Sequence, residues 1–359
     1  MRTAVVLGTR PEIIKMAPII RAFRRSHADF FVLHTGQHYS RNMDRVFFEN
    51  LGLGTPEFNL EVGSGSHAEE TAAMLIGAER ILSKEKVTGV LVEGDTNSVL
   101  AGALAAAKLR IRVGHVEAGL RSFDRSMPEE LNRIIADHLA DLLYAPTEVA
   151  RSNLVHEGVE NSRILVTGNT IVDSVRQHLE MARKADTKSL LEGMGSDYLL
   201  TTIHRQENVD IPSRLIGIVK GLESVASSTG MKVLYPAHPR AMKRMKEFGV
   251  KPAKEFVRVV EPLDYLTFLK LESEASLVLT DSGGVQEEAC ILEVPCVTLR
   301  ENTERPETVQ VGANLVAGVA PRGILRAAKT MLGKKGWKNP FGDGKAGARI
   351  ARSWMSSSG

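Results

Sequence analysis

Ser276-Leu277-Val278-Leu279-Thr280-Asp281-Ser282-Gly283-Gly284-Val285-Gln286-Glu287-Glu288-Ala289 reads as a buried strand, a tight turn and the opening of a helix. The strand is a short apolar run, the glycines turn the chain, and the acidic residues that follow suit the positive end of a helix dipole. The same alternation recurs on both sides of it. Short β-branched runs at 3–7, 30–34, 89–93, 112–116, 142–145, 163–167, 198–203, 232–235, 258–260 and 296–299 are interleaved with helical patterns such as 12–25 and 97–109. Strands alternating with helices feed parallel sheets, because a parallel connection needs a crossover long enough to hold a helix.

At 359 residues the chain is long enough for two domains that each bury a core. The rhythm breaks around 184–196, and the boundary is set near Gly168-Asn169-Thr170, giving domains 1–168 and 169–344. Two doubly wound domains present two sets of strand C-terminal ends, the edge at which α/β sheets bind ligands. A cleft between them is therefore the expected site.

Composition narrows the function. The chain is 43% apolar and 25% charged, and 46 Lys and Arg against 43 Asp and Glu leave a net +3. The basic residues are dispersed, which argues against a nucleic-acid or membrane surface and leaves room for a local anion site. Cys290 and Cys296 are too few for a disulfide framework or a four-thiolate metal site, which fits a reducing cytoplasm, and their spacing suits core packing. The first eight residues meet a turn too soon for a signal-peptide core, and no apolar run reaches the ~20 residues needed to span a bilayer.

Several motifs compete for the ligand. Gly63-Ser64-Gly65-Ser66-His67-Ala68 has dinucleotide-loop spacing, but 58–62 is a poor buried strand, and Ser66 with Glu69 forms a capping box for a helix over 70–82. No P-loop pattern occurs in the sequence. Ser282, Gly283 and Gly284 are a stronger phosphate site, since free backbone N–H groups and a helix dipole meet there, and Glu288 a turn later can accept from a ribose diol. Against this stands an ordinary strand-to-helix turn.

Asp95 and Glu117 each follow the end of an apolar strand, and Pro128-Glu129-Glu130 opens a helix with a third acid. Carboxylates gathered on one sheet edge suit acid–base chemistry, because repulsion and desolvation separate their pKa values. The competing roles are helix capping by Asp95 and ordinary first-turn composition for Pro-Glu-Glu. His34 and His38 do not sit where both rings share one helix face, so no metal is expected. His204-Arg205 and His238-Pro239-Arg240 are read as donors to an anion.

Taken together, Gly8-Thr9-Arg10-Pro11-Glu12-Ile13-Ile14-Lys15, Gly94-Asp95-Thr96-Asn97-Ser98, His115-Val116-Glu117-Ala118-Gly119-Leu120-Arg121, Pro128-Glu129-Glu130-Leu131-Asn132-Arg133, Thr280-Asp281-Ser282-Gly283-Gly284 and Thr303-Glu304-Arg305-Pro306-Glu307 closely resemble the non-hydrolysing UDP-N-acetylglucosamine 2-epimerases. The likeness runs in order from Arg2 to about Gly347. It implies a GT-B fold, two Rossmann-like domains around a cleft, with the final helix, about 345–359, returning to the first. It implies interconversion of UDP-N-acetylglucosamine and UDP-N-acetylmannosamine by a cytoplasmic homodimer, with no cofactor, metal, nucleic acid or membrane involved, in the service of surface polysaccharide synthesis. The family's catalytic groups fall on Asp95, Glu117, Glu129 and His204. Its substrate contacts fall on Arg10, Lys15, Arg133, Phe268 against the uracil, Ser282, Gly283, Gly284, Glu288 and Arg305.

One departure stands out. Bacterial members bind a second, allosteric substrate molecule through a Gln-His-x-Gln segment, and Gln37-His38-Tyr39-Ser40 lacks the last glutamine. The alternatives on this scaffold are a hydrolysing enzyme, an epimerase of a 2,3-diacetamido uronic acid nucleotide, a GT-B glycosyltransferase and a non-catalytic UDP-sugar binder.

Overall fold

A computed structural model describes residues 1–36, 48–49 and 51–356. The segment 37–40 that departs from the bacterial pattern, with His38 in it, lies outside the described residues. The chain forms two compact units, Met1–Ser174 with Phe341–Gly359, and Val175–Pro340. The sequence reading sets these limits at 168 and 345.

The first unit is built on β1 (Thr3–Leu7), β2 (Phe30–His34), β3 (Phe58–Asn59), β4 (Gly89–Glu93), β5 (Arg112–Val116), β6 (Leu142–Ala145) and β7 (Ile164–Val166). They form one sheet in the order β3-β2-β1-β4-β5-β6-β7, with every pairing parallel. Side chains alternate between its faces. Ala4, Val6, Val90, Val92 and Val113 join a buried layer with Ala78, Leu82, Val99, Ala103 and Ala136 from the helices His67–Lys84, Asn97–Lys108 and Pro128–Leu139. The helix Arg10–Arg25 packs with the C-terminal helix Ala346–Ser356. From the latter, Trp354 reaches back to the sheet, its Nε1 donating to Thr3 Oγ1 at 3.0 Å.

The second unit repeats the plan with β8 (Tyr198–Thr202), β9 (Lys232–Pro236), β10 (Val257–Val260), β11 (Leu277–Thr280), β12 (Cys296–Thr298) and β13 (Asn314–Val316). The order is β10-β9-β8-β11-β12-β13, again all parallel. Leu199, Val233, Leu277, Leu279 and Val297 face the helices Pro212–Thr229 and Pro321–Met331. Tyr198, Leu200, Leu234, Val278 and Cys296 face the helices Tyr265–Glu274 and Gly283–Ile291. Cys290 and Cys296 are both buried and unpaired, and Cys296 belongs to this layer.

In each sheet the strand order reverses once, between β1 and β4 and between β8 and β11. Neighbouring crossovers leave in opposite directions at such a point and open a crevice at the strand C-termini. Arg10, Asp95 and Glu117 in the first unit, and His204 and Ser282 in the second, lie just beyond the C-terminal ends of central strands. Gly63 and Gly65 do not: they follow the two-residue edge strand β3, and Ser66 caps the helix His67–Lys84 with the reciprocal Glu69 box. Among the described residues no helix is long and apolar enough to cross a membrane.

Candidate functional site

On the first sheet, β1 exits into Gly8-Thr9-Arg10. A Cβ on Gly8 would stand 2.1 Å from both Ser98 Oγ and Thr35 Oγ1, so only glycine lets β1 meet the helix Asn97–Lys108 this closely. The Glu12 carboxylate folds back onto the N–H groups of Gly8 and Thr9 at 2.5 and 2.8 Å and accepts from the Thr96 hydroxyl. Burial pushes its pKa up to about 7 against the pull of these donors. Arg10 is half-buried at the first helical position.

Lys15, a turn further on, points to the ends of β4 and β5. Its ammonium pairs with Glu117, and Glu93 Oε1 lies 3.6 Å from it. Glu117 takes a left-handed backbone, φ 66°, immediately after β5. A non-glycine residue pays strain for that conformation, and such strain gathers at working sites. It turns the carboxylate off the strand line toward Lys15.

Asp95, two residues beyond β4, does not cap the next helix: Thr96 is the N-cap and makes no side-chain cap bond. Asp95 pairs instead with Arg133, whose other nitrogen contacts Glu130 at 2.7 Å. Glu130 is buried, accepting from Ser122 N–H at 3.0 Å and Phe123 N–H at 2.9 Å, so it ties down the loop before its helix. Its neighbour Glu129 remains half-buried in the same first turn. Because β4 and β5 pair in parallel with Glu93 beside Val116, Asp95 and Glu117 share one edge.

On the second sheet, β8 exits at His204 and β11 at Asp281. Asp281 is fully buried and takes the N–H groups of His204 and Arg205 at 3.1 Å and Asn208 Nδ2 at 3.0 Å. His204 Nδ1 is 3.0 Å from Asp281 Oδ1, while the ring is 41% exposed. Burial raises the Asp281 pKa, yet His204 and the converging donors hold it below the usual range. The carboxylate thus fixes the ring with its outer edge toward solvent. His238, read as an anion donor, instead caps its own helix by accepting from Arg240 N–H at 3.2 Å, and Arg240 pairs with Asp210.

Ser282 is the N-cap of the helix Gly283–Ile291, and a Cβ on Gly284 would meet Ser282 Oγ at 4.0 Å, an ordinary contact. Gly283 faces Glu304 Oε1, 2.8 Å from an added Cβ. Arg305 is buried against Glu287 at 2.6 Å. Tyr265, Phe268 and Glu272 recur at helical spacing on one face of Tyr265–Glu274, and both Tyr265 and Glu272 interact with Glu288. Phe268 and Glu288 are thereby placed on one side of this sheet. Burial and the Glu288 charge push Glu272 well above the carboxylate range.

Glu93, Glu12, Asp281 and Glu272 were not singled out from the sequence. Glu93 and Asp281 did carry a signal, a charged residue closing or directly following a largely apolar strand.

Two all-parallel, doubly wound units with these edges define a GT-B class protein, the fold class expected from the sequence. The chain belongs to the UDP-N-acetylglucosamine 2-epimerase family, whose model matches residues 21–354. It is 53% identical to the UDP-N-acetylglucosamine 2-epimerase of Methanocaldococcus jannaschii over 98% of each chain. It is 41% identical, over 98% of each chain, to the UDP-2,3-diacetamido-2,3-dideoxy-D-glucuronate 2-epimerase of Pseudomonas aeruginosa. The crystal structure of the M. jannaschii enzyme in complex with UDP-GlcNAc and UDP matches with a TM-score of 0.94, covering 99% of this chain and 100% of that one.

Proposed function

We propose that this protein interconverts UDP-N-acetylglucosamine and UDP-N-acetylmannosamine by eliminating and re-adding UDP. The observation that carries this reading is the pair of carboxylates, Asp95 and Glu117, on the edge of a chain that matches a UDP-GlcNAc-bound 2-epimerase along its whole length.

The C2 hydrogen of the sugar is not adjacent to a carbonyl, so enolisation cannot invert that centre. Breaking the C1–O bond sends its electron pair to the diphosphate. A carboxylate then takes the C2 proton, and the C–H electron pair forms the C1=C2 bond of a glycal. Return of a proton to the opposite face and re-addition of UDP complete the inversion with no net oxidation, so the scheme needs no nicotinamide. Loss and return on opposite faces call for two differently placed acid–base groups, which is the role given to Asp95, Glu117 and Glu129. Arg10, His204 and the Ser282 helix start stabilise the charge that develops on UDP, with Phe268 and Glu288 holding uracil and ribose. Lys15 contributes through Glu117, and Arg133 through Asp95. The enzyme works as a homodimer in the cytoplasm, a reading that rests on the family resemblance.

The test is NMR of UDP-N-acetylglucosamine with the purified protein in deuterium oxide. The expected result is the manno epimer carrying deuterium at C2 without added cofactor. Free sugar plus UDP, or an epimer without deuterium, overturns the scheme. A 2,3-diacetamido uronic acid nucleotide assayed in parallel tests the specificity of the 41% identical relative.

A further inference from the structure

Glu93 stands at the last position of β4, 2% exposed, with Lys15 and Glu117 beside it. Its Oε1 lies 3.6 Å from Lys15 Nζ, and the same ammonium pairs directly with Glu117, so both carboxylates meet at one cation. None of the three side chains is more than 9% exposed. One buried cation cannot balance two buried carboxylates, and a proton on one of them is the least costly neutralisation. Glu12, facing the same group from the helix Arg10–Arg25, is a third acid that also pushes the Glu93 pKa up and offers no relief. Lys15 is nearer to Glu117, so the negative charge belongs on Glu117 and the proton on Glu93.

We propose that Glu93 is a positioning residue, a buried neutral acid that donates a hydrogen bond to the Glu117 carboxylate and, with Lys15, fixes it in its left-handed turn. This rests on the reading of Glu117 as an acid–base group. Burial, the largest influence, and the neighbouring Glu117 both push the Glu93 pKa well above the usual range, while Lys15 opposes them. As pH rises Glu93 ionises, ceases to donate, repels Glu117 and competes for Lys15. Glu93→Gln keeps a donor at the same place and cannot ionise, whereas Glu93→Leu removes it.

The experiment measures kcat and KM against pH for wild type, E93Q, E93L and E117Q, with UDP calorimetry and thermal melting as controls of folding. E93L should lower kcat about tenfold or more with KM changed by less than about threefold, the pattern of a group acting on the reacting carboxylate. E93Q should retain most of kcat and lose the alkaline decline that wild type shows. An alkaline limb equal in wild type and E93Q, or absent from both, overturns the proposal. So does E93Q as impaired as E93L, or E93L as active as wild type. If E93L fails to fold, the comparison of E93Q with wild type decides. An E117Q enzyme at wild-type rate removes the role of Glu117 itself, whereas an inactive E117Q beside an unmoved E93Q profile removes only that of Glu93.

Discussion

The imidazole of His115 lies against the carboxylate of Asp137, Nδ1 to Oδ1 2.7 Å, and neither side chain has exposed surface. The other ring nitrogen is 2.9 Å from the Gly94 carbonyl. Both ring nitrogens thus face oxygen atoms, of Asp137 and of Gly94. The second Asp137 oxygen takes Arg121 at 2.7 Å and the Gly119 N–H at 3.2 Å. One buried carboxylate therefore joins the exits of β4 and β5, from which Asp95 and Glu117 project, to the helix Pro128–Leu139.

Asp137→Ala should destabilise the protein by about 3–5 kcal/mol at neutral pH, because it removes the buried carboxylate shared by His115, Arg121 and the Gly119 N–H and leaves Arg121 only its pair with Glu157. Burial pulls the Asp137 pKa up, but His115 and Arg121 outweigh it and hold the group below 3.8. The folded state then binds this proton less readily than the unfolded state, so the stabilisation is complete above pH 3.8 and fades as pH falls through the lower native value. Urea denaturation should show a wide gap between wild type and variant at pH 7 that narrows in acid. A gap independent of pH would mean that Asp137 acts by packing alone.

The strands at 3–7, 30–34, 89–93, 112–116 and 142–145 were legible residue for residue, because parallel strands covered on both faces are continuous apolar runs. β3 and β13 were not, since two or three edge residues carry no period. Asp95 and Glu117 were legible as charges following apolar strands. Their partners were not: nothing in spacing tells that Lys15 turns to β5 or that Arg133 bridges Asp95 and Glu130. Glu93 was overlooked beside Asp95 because its importance lies in having no water, a property of the folded sheet.

A Cβ on Gly114 would stand 2.6 Å from Leu91 Cδ2 and 2.7 Å from Trp354 Cζ3. Gly114→Ala should therefore cost about 1–3 kcal/mol through overpacking, and Trp354→Ala about 3–5 kcal/mol through the cavity it leaves. In the double variant the methyl finds part of that space, so the two losses should add to less than their sum. Strict additivity in urea denaturation would show that the C-terminal helix does not press Trp354 onto β5.

The missing glutamine at Ser40 leads us to expect reverse turnover without an activator. A serine hydroxyl cannot span what a glutamine amide reaches, and losing one hydrogen bond weakens a second substrate site by ~1 kcal/mol or more. Progress curves from UDP-N-acetylmannosamine alone should start without a lag. A lag abolished by a trace of UDP-N-acetylglucosamine would show the second site to be intact.

Asp95→Asn and Glu288→Ala should separate chemistry from binding, since the two residues belong to different compact units. Asp95 pairs with Arg133, which keeps Glu130 as a partner when the Asp95 charge is removed, so the local frame survives the change. Loss of a proton-transfer group should lower kcat by about 10²-fold or more and leave UDP affinity nearly intact. Glu288 shares its buried face with Tyr265 and with Glu272, whose raised pKa reflects burial and the Glu288 charge. Removing Glu288 relieves that like-charge crowding, so the fold should persist. Losing the hydrogen bonds proposed for it with the ribose diol should weaken UDP by roughly 1–3 kcal/mol in calorimetry. If Asp95→Asn abolishes UDP binding while Glu288→Ala binds normally and turns over slowly, the roles given to the two units are exchanged.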